Sequence, residues 1–163
     1  MAAAIGSIRS ESIRFRESDT TIAGTFTGSF EVPGGAVLVD VIVHGVALWN
    51  SSGACTLNVG DSVTTNGFYA AVNLKATDLL AGESLSFGLP GGLYGADIAP
   101  NDATGATLIL GQAGHVKRRA LTSQAARNLQ ATVSVAGTVA SPTGITDVIF
   151  VYAYPSPNKP TFA

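Results

Sequence analysis

The sequence predicts an all-β protein, an antiparallel sandwich or barrel. Three observations carry that expectation. Short runs of alternating apolar and polar residues recur along the chain, rich in β-branched side chains, which are stiff at χ1 and pack well on a pleated surface. Turn signals separate the runs. Almost no stretch shows helical periodicity. About eight or nine strands of this kind, joined by turns, fit a two-layered or closed β architecture.

Residues 1–19 are set apart as an N-terminal arm. Within them SESIRFRE alternates, with Ile13 and Phe15 on one side beside Glu11, and Ser12, Arg14 and Arg16 on the other. The segment reads either as an arm that orders on a neighbour or as an ordinary edge strand. Thr21–Val32 puts Phe26 and Phe30 on one parity and Thr and Ser on the other, and Pro33-Gly34-Gly35 closes it as a turn. Ala36–Asn50, AVLVDVIVHGVALWN, is the most apolar continuous run and belongs in the middle of a sheet. Its odd positions, Val37, Val39, Val41 and Val43, form one apolar face, and Leu38, Asp40, Ile42 and His44 form a mixed one. Asn50–Gly53 is a loop. Ala54–Gly60 is a strand with Cys55, Leu57 and Val59 facing the core.

Asn66-Gly67 accepts two positive φ angles, so it predicts a type I′ hairpin within Val63–Val72. Leu74–Leu80 breaks the alternation and fits one helical turn. Glu83–Leu89 returns to strand, Pro90–Asp102 is a Gly- and Pro-rich loop, and Thr104–Leu110 is a short strand. Gln112–Asn128 reads as a short helix or an extended basic loop. Ala131–Val139 is a strand, Ser141–Gly144 a turn and Ile145–Tyr154 the last strand. That strand carries Val148, Phe150, Tyr152 and Tyr154 on one side and Ile149 and Val151 on the other, as expected between two covered layers. The expected organisation is an arm at 1–19, a sandwich domain at 20–155 and an extended tail at 156–163.

A chain of 163 residues fits one domain. Charged residues are only 12% of it, about half the usual share, which fits either a small free surface or a surface meant to be covered by partners. The net charge of −2 argues against bulk nucleic-acid binding, and no run approaches the ~20 apolar residues of a membrane span. The start, MAAAIGSIRS, lacks the charged region of a secretion signal. One cysteine excludes an intrachain disulfide, and Cys55 is expected as a buried structural thiol.

No catalytic set emerges. Asp40 and His44 lie four residues apart on one strand, roughly 13 Å, far beyond hydrogen-bond reach. His44 is expected as a sheet-face histidine. His115 has no nearby carboxylate to orient it. Asp97, Asn101 and Asp102 match no calcium-loop spacing, and two histidines with one cysteine leave little for a transition metal. The glycine-rich Gly88–Gly95 lacks the following helix of a phosphate cradle. Neither metal nor cofactor is expected. Trp49 fits a lid on the core better than a stacking platform.

One constellation stands out. From Thr20 to Ala113 seven acids face one base, whereas Gly114–Gln130 carries four bases and no acid, and the first sixteen residues add three arginines. Arg9, Arg14, Arg16, Lys117, Arg118, Arg119 and Arg127 are therefore the candidate partner-binding residues, since such asymmetry steers association with a complementary surface.

The segment Cys55–Phe87, CTLNVGDSVTTNGFYAAVNLKATDLLAGESLSF, resembles small bacteriophage capsid auxiliary proteins. The resemblance rests on its Leu-x-Val-Gly-Asp hairpin, its Gly-Phe/Tyr step and its Thr-Asp-Leu-Leu-Ala-Gly-Glu turn. The closing DVIFVYAYP, Asp147–Pro155, also suits their last strand. The resemblance implies an antiparallel jelly-roll-like β-sandwich of about eight strands, without catalytic residues. It also implies a decoration or cement protein, made in the host cytoplasm and placed on the capsid exterior. The expected partners are the major capsid protein and further copies of the chain, a trimer being favoured. The alternative expectation is a carbohydrate- or receptor-binding module, for which Trp49, Tyr69 and Tyr94 are the candidate aromatics.

Overall fold

The two most apolar runs of the chain lie side by side. In a computed structural model, which describes residues 8–20, 23–75, 78–86, 126–139 and 141–153, β3 (Val37–Ala47) pairs antiparallel with β8 (Ile145–Ala153). The other strands are β1 (Ile8–Arg16), β2 (Gly24–Val32), β4 (Cys55–Asp61), β5 (Tyr69–Asn73), β6 (Ser84–Leu85) and β7 (Arg127–Val135). They form two four-stranded antiparallel sheets, in the orders β1-β8-β3-β6 and β2-β7-β4-β5. In each of the pairs β1·β8, β2·β7, β3·β6 and β4·β5 the strand numbers add to nine. That is the order obtained by rolling one long antiparallel hairpin into two layers, the double-sheet jelly roll. Among the described residues the one helical element is the 3-10 turn Glu17–Asp19.

The core lies between the layers. Val41, Val43, Val148 and Phe150 of one sheet meet Leu57, Val59, Leu129, Ala131 and Val133 of the other, all fully buried. Phe30 packs edge-on to Phe150 with ring centroids 5.2 Å apart. Phe26 and Phe30 face inward and Thr25, Thr27 and Ser29 outward, as the alternation of β2 predicts. The Pro33-Gly34-Gly35 turn forms, closed by Ala36 N–H to Pro33 O, with Gly35 at φ 81°.

Several expectations need correction. The odd positions of β3 do not share one face. Eleven residues of β3 run beside nine of β8, and the two extra residues are bulges at Val39 and Val46. A bulge shifts side-chain parity by one. Leu38 is therefore buried ahead of the first bulge and Val41, Val43 and Gly45 after it, while Val37 and Val39 face out.

The Asn-Gly hairpin is also different. Thr64 O accepts the Gly67 N–H at 3.0 Å, and neither Asn66 nor Gly67 has positive φ, so no type I′ turn forms. The β4–β5 link is instead a longer loop anchored by Asp61, whose carboxylate accepts the Val63 and Thr64 N–H groups at 2.8 Å. Gly60 is required there, because a Cβ would strike the Thr64 carbonyl.

Strand β7 begins at Arg127 rather than Ala131 and ends at Val135, because Leu129 and Ala131 already continue its inward parity. Among the described residues no second layer covers the outer face of the last strand. Its second face, with Asp147, Ile149 and Val151, is half-buried on the outer side of its sheet between β1 and β3. Residues 74, 75 and 78–80 form no helix. Residues 8–16 of the N-terminal segment pair along their whole length with β8, as an edge strand. The expected loop at 90–102, the strand at 104–110 and most of Gln112–Asn128 lie outside the described residues.

Candidate functional site

The connections β1–β2, β3–β4, β5–β6 and β7–β8 gather at one end of the sandwich, where a cluster of polar groups forms. Glu17, in the 3-10 turn, is fully buried. Its carboxylate accepts the N–H groups of Asn50, Ser51, Thr143 and Gly144, at 2.7 to 3.2 Å. A buried carboxylate is tolerated when donors surround it, and here the donors are the backbones of two loops. Lys75, from the β5–β6 link, donates from Nζ to Ser51 O and Gly53 O at 2.5 and 2.9 Å.

Ser51 Oγ lies 2.8 Å from Cys55 Sγ. Burial holds the thiol above its ordinary pKa; the Ser51 contact opposes that shift, the Glu17 charge adds to it and the Lys75 charge opposes it. A thiol kept protonated is a poor nucleophile. Trp49 is buried, with its indole N–H donated to Thr146 Oγ1 at 2.9 Å, so it is a lid on the core. A shallow cleft of ≈ 320 Å³ nearby is lined by Gly24, Thr25, Ala54, Thr56, Ser134, Val135 and Ala136, and none of these is charged. The cluster therefore binds loops to one another and leaves no group poised for acid–base work. Sequence reading missed Glu17 altogether. The only signal was an acid at the end of a strand, and its partners lie 33 to 127 positions away.

The arginines are distributed differently from the sequence expectation. Arg9, Arg14 and Arg16 all lie on β1 and are exposed. Arg14 and Arg16 face outward, whereas Arg9 stands opposite Tyr152 on the inward parity. Arg14 forms a two-pronged pair with Asp147 at 2.6 and 2.7 Å. That hydrogen bond holds the Asp147 carboxyl below its usual range, against the effect of partial burial, and the charges of Arg14, His44 and Arg16 act the same way. Arg127 starts β7 in the other sheet and reaches Asp61 at 3.5 Å. Arg9, Arg14 and Arg16 thus share one strand, but only Arg14 and Arg16 share a face of it, and Arg127 lies in the other sheet. Lys117, Arg118 and Arg119 lie outside the described residues.

His44 sits on the outer sheet face, its Nδ1 within 2.8 Å of Ser84 Oγ and 3.1 Å of Glu83 O. Asp40 Oδ1 accepts the Val41 N–H. The two make no dyad. Among the described residues no three metal-ligating side chains cluster, and Asp97, Asn101 and Asp102 lie outside them. Tyr69 is fully buried with its hydroxyl donated to Val41 O at 2.9 Å, so neither it nor Trp49 offers a stacking face; Tyr94 lies outside the described residues.

No family model matches the chain, and no curated protein matches it. Its fold is similar to those of three chains from phage capsids. One, in the capsid asymmetric unit of cyanophage Pam1, is 18% identical, with a TM-score of 0.51 over 95% of this chain and 90% of that one. A second, from the acidic stable capsid of Helicobacter pylori bacteriophage KHP30, is 14% identical, with a TM-score of 0.53 over 94% and 91%. The third, from the capsid of Ralstonia phage GP4, is 17% identical, with a TM-score of 0.50 over 95% and 89%. At these identities the likeness is one of fold, and it spans nearly the whole length of each chain.

Proposed function

We propose that this protein is a structural component of a phage virion, a decoration or cement protein that binds the outside of the head. In this reading it binds the major capsid protein as a homo-oligomer at a symmetry axis and stabilises the shell. The carrying observation is the full-length fold likeness to three chains of phage capsids, at TM-scores of 0.50 to 0.53. The charge-poor composition supports it, because a surface with few charges is suited to being covered. So does the internal use of polar groups: Glu17, Asp61, Asp78 and Glu83 all accept backbone N–H groups, as fits a scaffold rather than a catalyst. The glycan-binding alternative loses two of its three aromatic platforms, Trp49 and Tyr69, to the core.

Binding is assigned in part to cations, those of β1 and the Lys117–Arg119 group. Exposed charges are screened over about 10 Å at 0.1 M salt, so attachment should weaken as ionic strength rises. The test is cosedimentation of the purified protein with heads that lack it, across a salt series. Changing Arg16, Lys117, Arg118 and Arg119 to Ser should reduce the pelleted fraction and flatten its salt dependence. Unchanged binding by that variant would remove the electrostatic role, and no pelleting by the unaltered protein would remove the capsid reading.

A further inference from the structure

The two long sides of the sandwich differ. On one side the edges are blunted: β6 is described over two residues, and β5 carries a bulge at which Ala71 has φ 53°. On the other, β1 and β2 run together. Each is nine residues long, each pairs without a register shift, and among the described residues neither has a neighbour on its outer edge. Such an edge presents a row of backbone donors and acceptors to any strand that approaches. Between these two edges the core is only partly covered, since Ile13, Phe26 and Phe30 pack against it but stay half-buried. Ile13 sits directly over Gly28, where a Cβ would overlap its Cγ2.

We propose that this open side is a self-association surface, on which a second copy of the chain pairs across a two-fold axis. The axis runs perpendicular to both sheets, through the stacked Ile13 and Gly28. It places β1 antiparallel to β1 of the second copy and β2 antiparallel to β2, so that each four-stranded sheet continues into its mate. The pairings follow from the sequence. Around Ile13, Ser12 faces Arg14, Ser10 faces Arg16 and Glu11 faces Phe15. Around Gly28, Phe26 faces Phe30, Thr27 faces Ser29 and Thr25 faces Glu31. None of these sets like charges opposite each other, and the half-buried phenylalanines become cross-strand aromatic pairs at the centre, an arrangement that stabilises a sheet. The occupant is a second copy because this one operation pairs both edges at once, sets no like charges opposite each other and joins the half-buried phenylalanines. The contact is isologous, so it closes on itself.

The inference concerns the free protein and stands or falls apart from head binding. Light scattering on the full chain should give the mass of two chains. Thr27→Lys with Ser29→Lys alters two exposed, outward residues and sets lysine against lysine twice across the axis. It should raise the dissociation constant roughly tenfold or more. Thr27→Cys with Ser29→Cys should give a covalent dimer on mild oxidation, because the two positions are opposite across copies, while neighbours two apart on one extended strand are too distant to bridge. A monomer, a trimer, a dimer untouched by the lysines, or a double-cysteine dimer that does not crosslink would each overturn the proposal.

Discussion

Among the described residues Glu17 is the buried carboxylate that ties the loops together. Its carboxylate is the shared acceptor for the β3–β4 and β7–β8 loops. Truncating it would leave four backbone N–H groups short of a partner at a buried site, each worth about 1–3 kcal/mol if it stays dry. Partial access of water reduces the sum. Glu17→Ala is therefore expected to lower stability by roughly 3 kcal/mol, and Glu17→Gln by less, since the amide keeps one acceptor oxygen. Urea unfolding followed by tryptophan fluorescence reads this well, because Trp49 packs beside Gly144, one of the residues that Glu17 binds. A loss below about 1 kcal/mol for Glu17→Ala would show that the loops hold one another without it. Cys55 and Trp49, by contrast, were legible in the sequence: parity placed the first in the core, and a bulky residue ending an apolar strand marked the second as a lid.

At the level of elements, the strands that alternate cleanly are those whose faces could be read in advance. β2, β4 and β8 show the inward sets that their parity requires. β3 does not, because a bulge is a property of two strands of unequal length, and the unequal partner is more than 90 positions away. β5 holds the other irregularity. Asn58 lies opposite the bulged pair of β5, and its Oδ1 accepts the N–H of Ala71 at 2.8 Å, which keeps Ala71 left-handed at φ 53°. That region disfavours a residue with a Cβ by roughly 1 kcal/mol and leaves glycine indifferent. Ala71→Gly should therefore be neutral to stabilising by up to about 1 kcal/mol, against the usual loss for glycine in a strand. A urea midpoint shifted clearly downward would show that the left-handed conformation carries no strain.

At the scale of the molecule, the pairing scheme joins the two ends of the chain. β8 is the last described strand, yet it lies between β1 and β3 and, among the described residues, is the only bridge from β1 to the rest of its sheet. A chain ending at Gly144 would lose the central strand of one layer, and with it Val148, Phe150 and Tyr152 from the core. Such a chain is expected to be unfolded, with no cooperative thermal transition by circular dichroism. A truncated chain that melted cooperatively would mean that the β2-β7-β4-β5 sheet is stable alone. The same long-range pairing implies slow folding, since contacts distant in sequence must close before they stabilise anything.

The sequence by itself determined the fold class, the approximate strand inventory and the inward residues of the regular strands, because alternation is a local property that the pleat converts directly into faces. Only the tertiary structure decided where parity resets, which acid clamps the loops, that Arg14 is matched by Asp147, and which strands form the sheet edges among the described residues. Each of these depends on groups brought together from opposite ends of the chain, and such meetings leave no trace in the spacing of neighbouring residues.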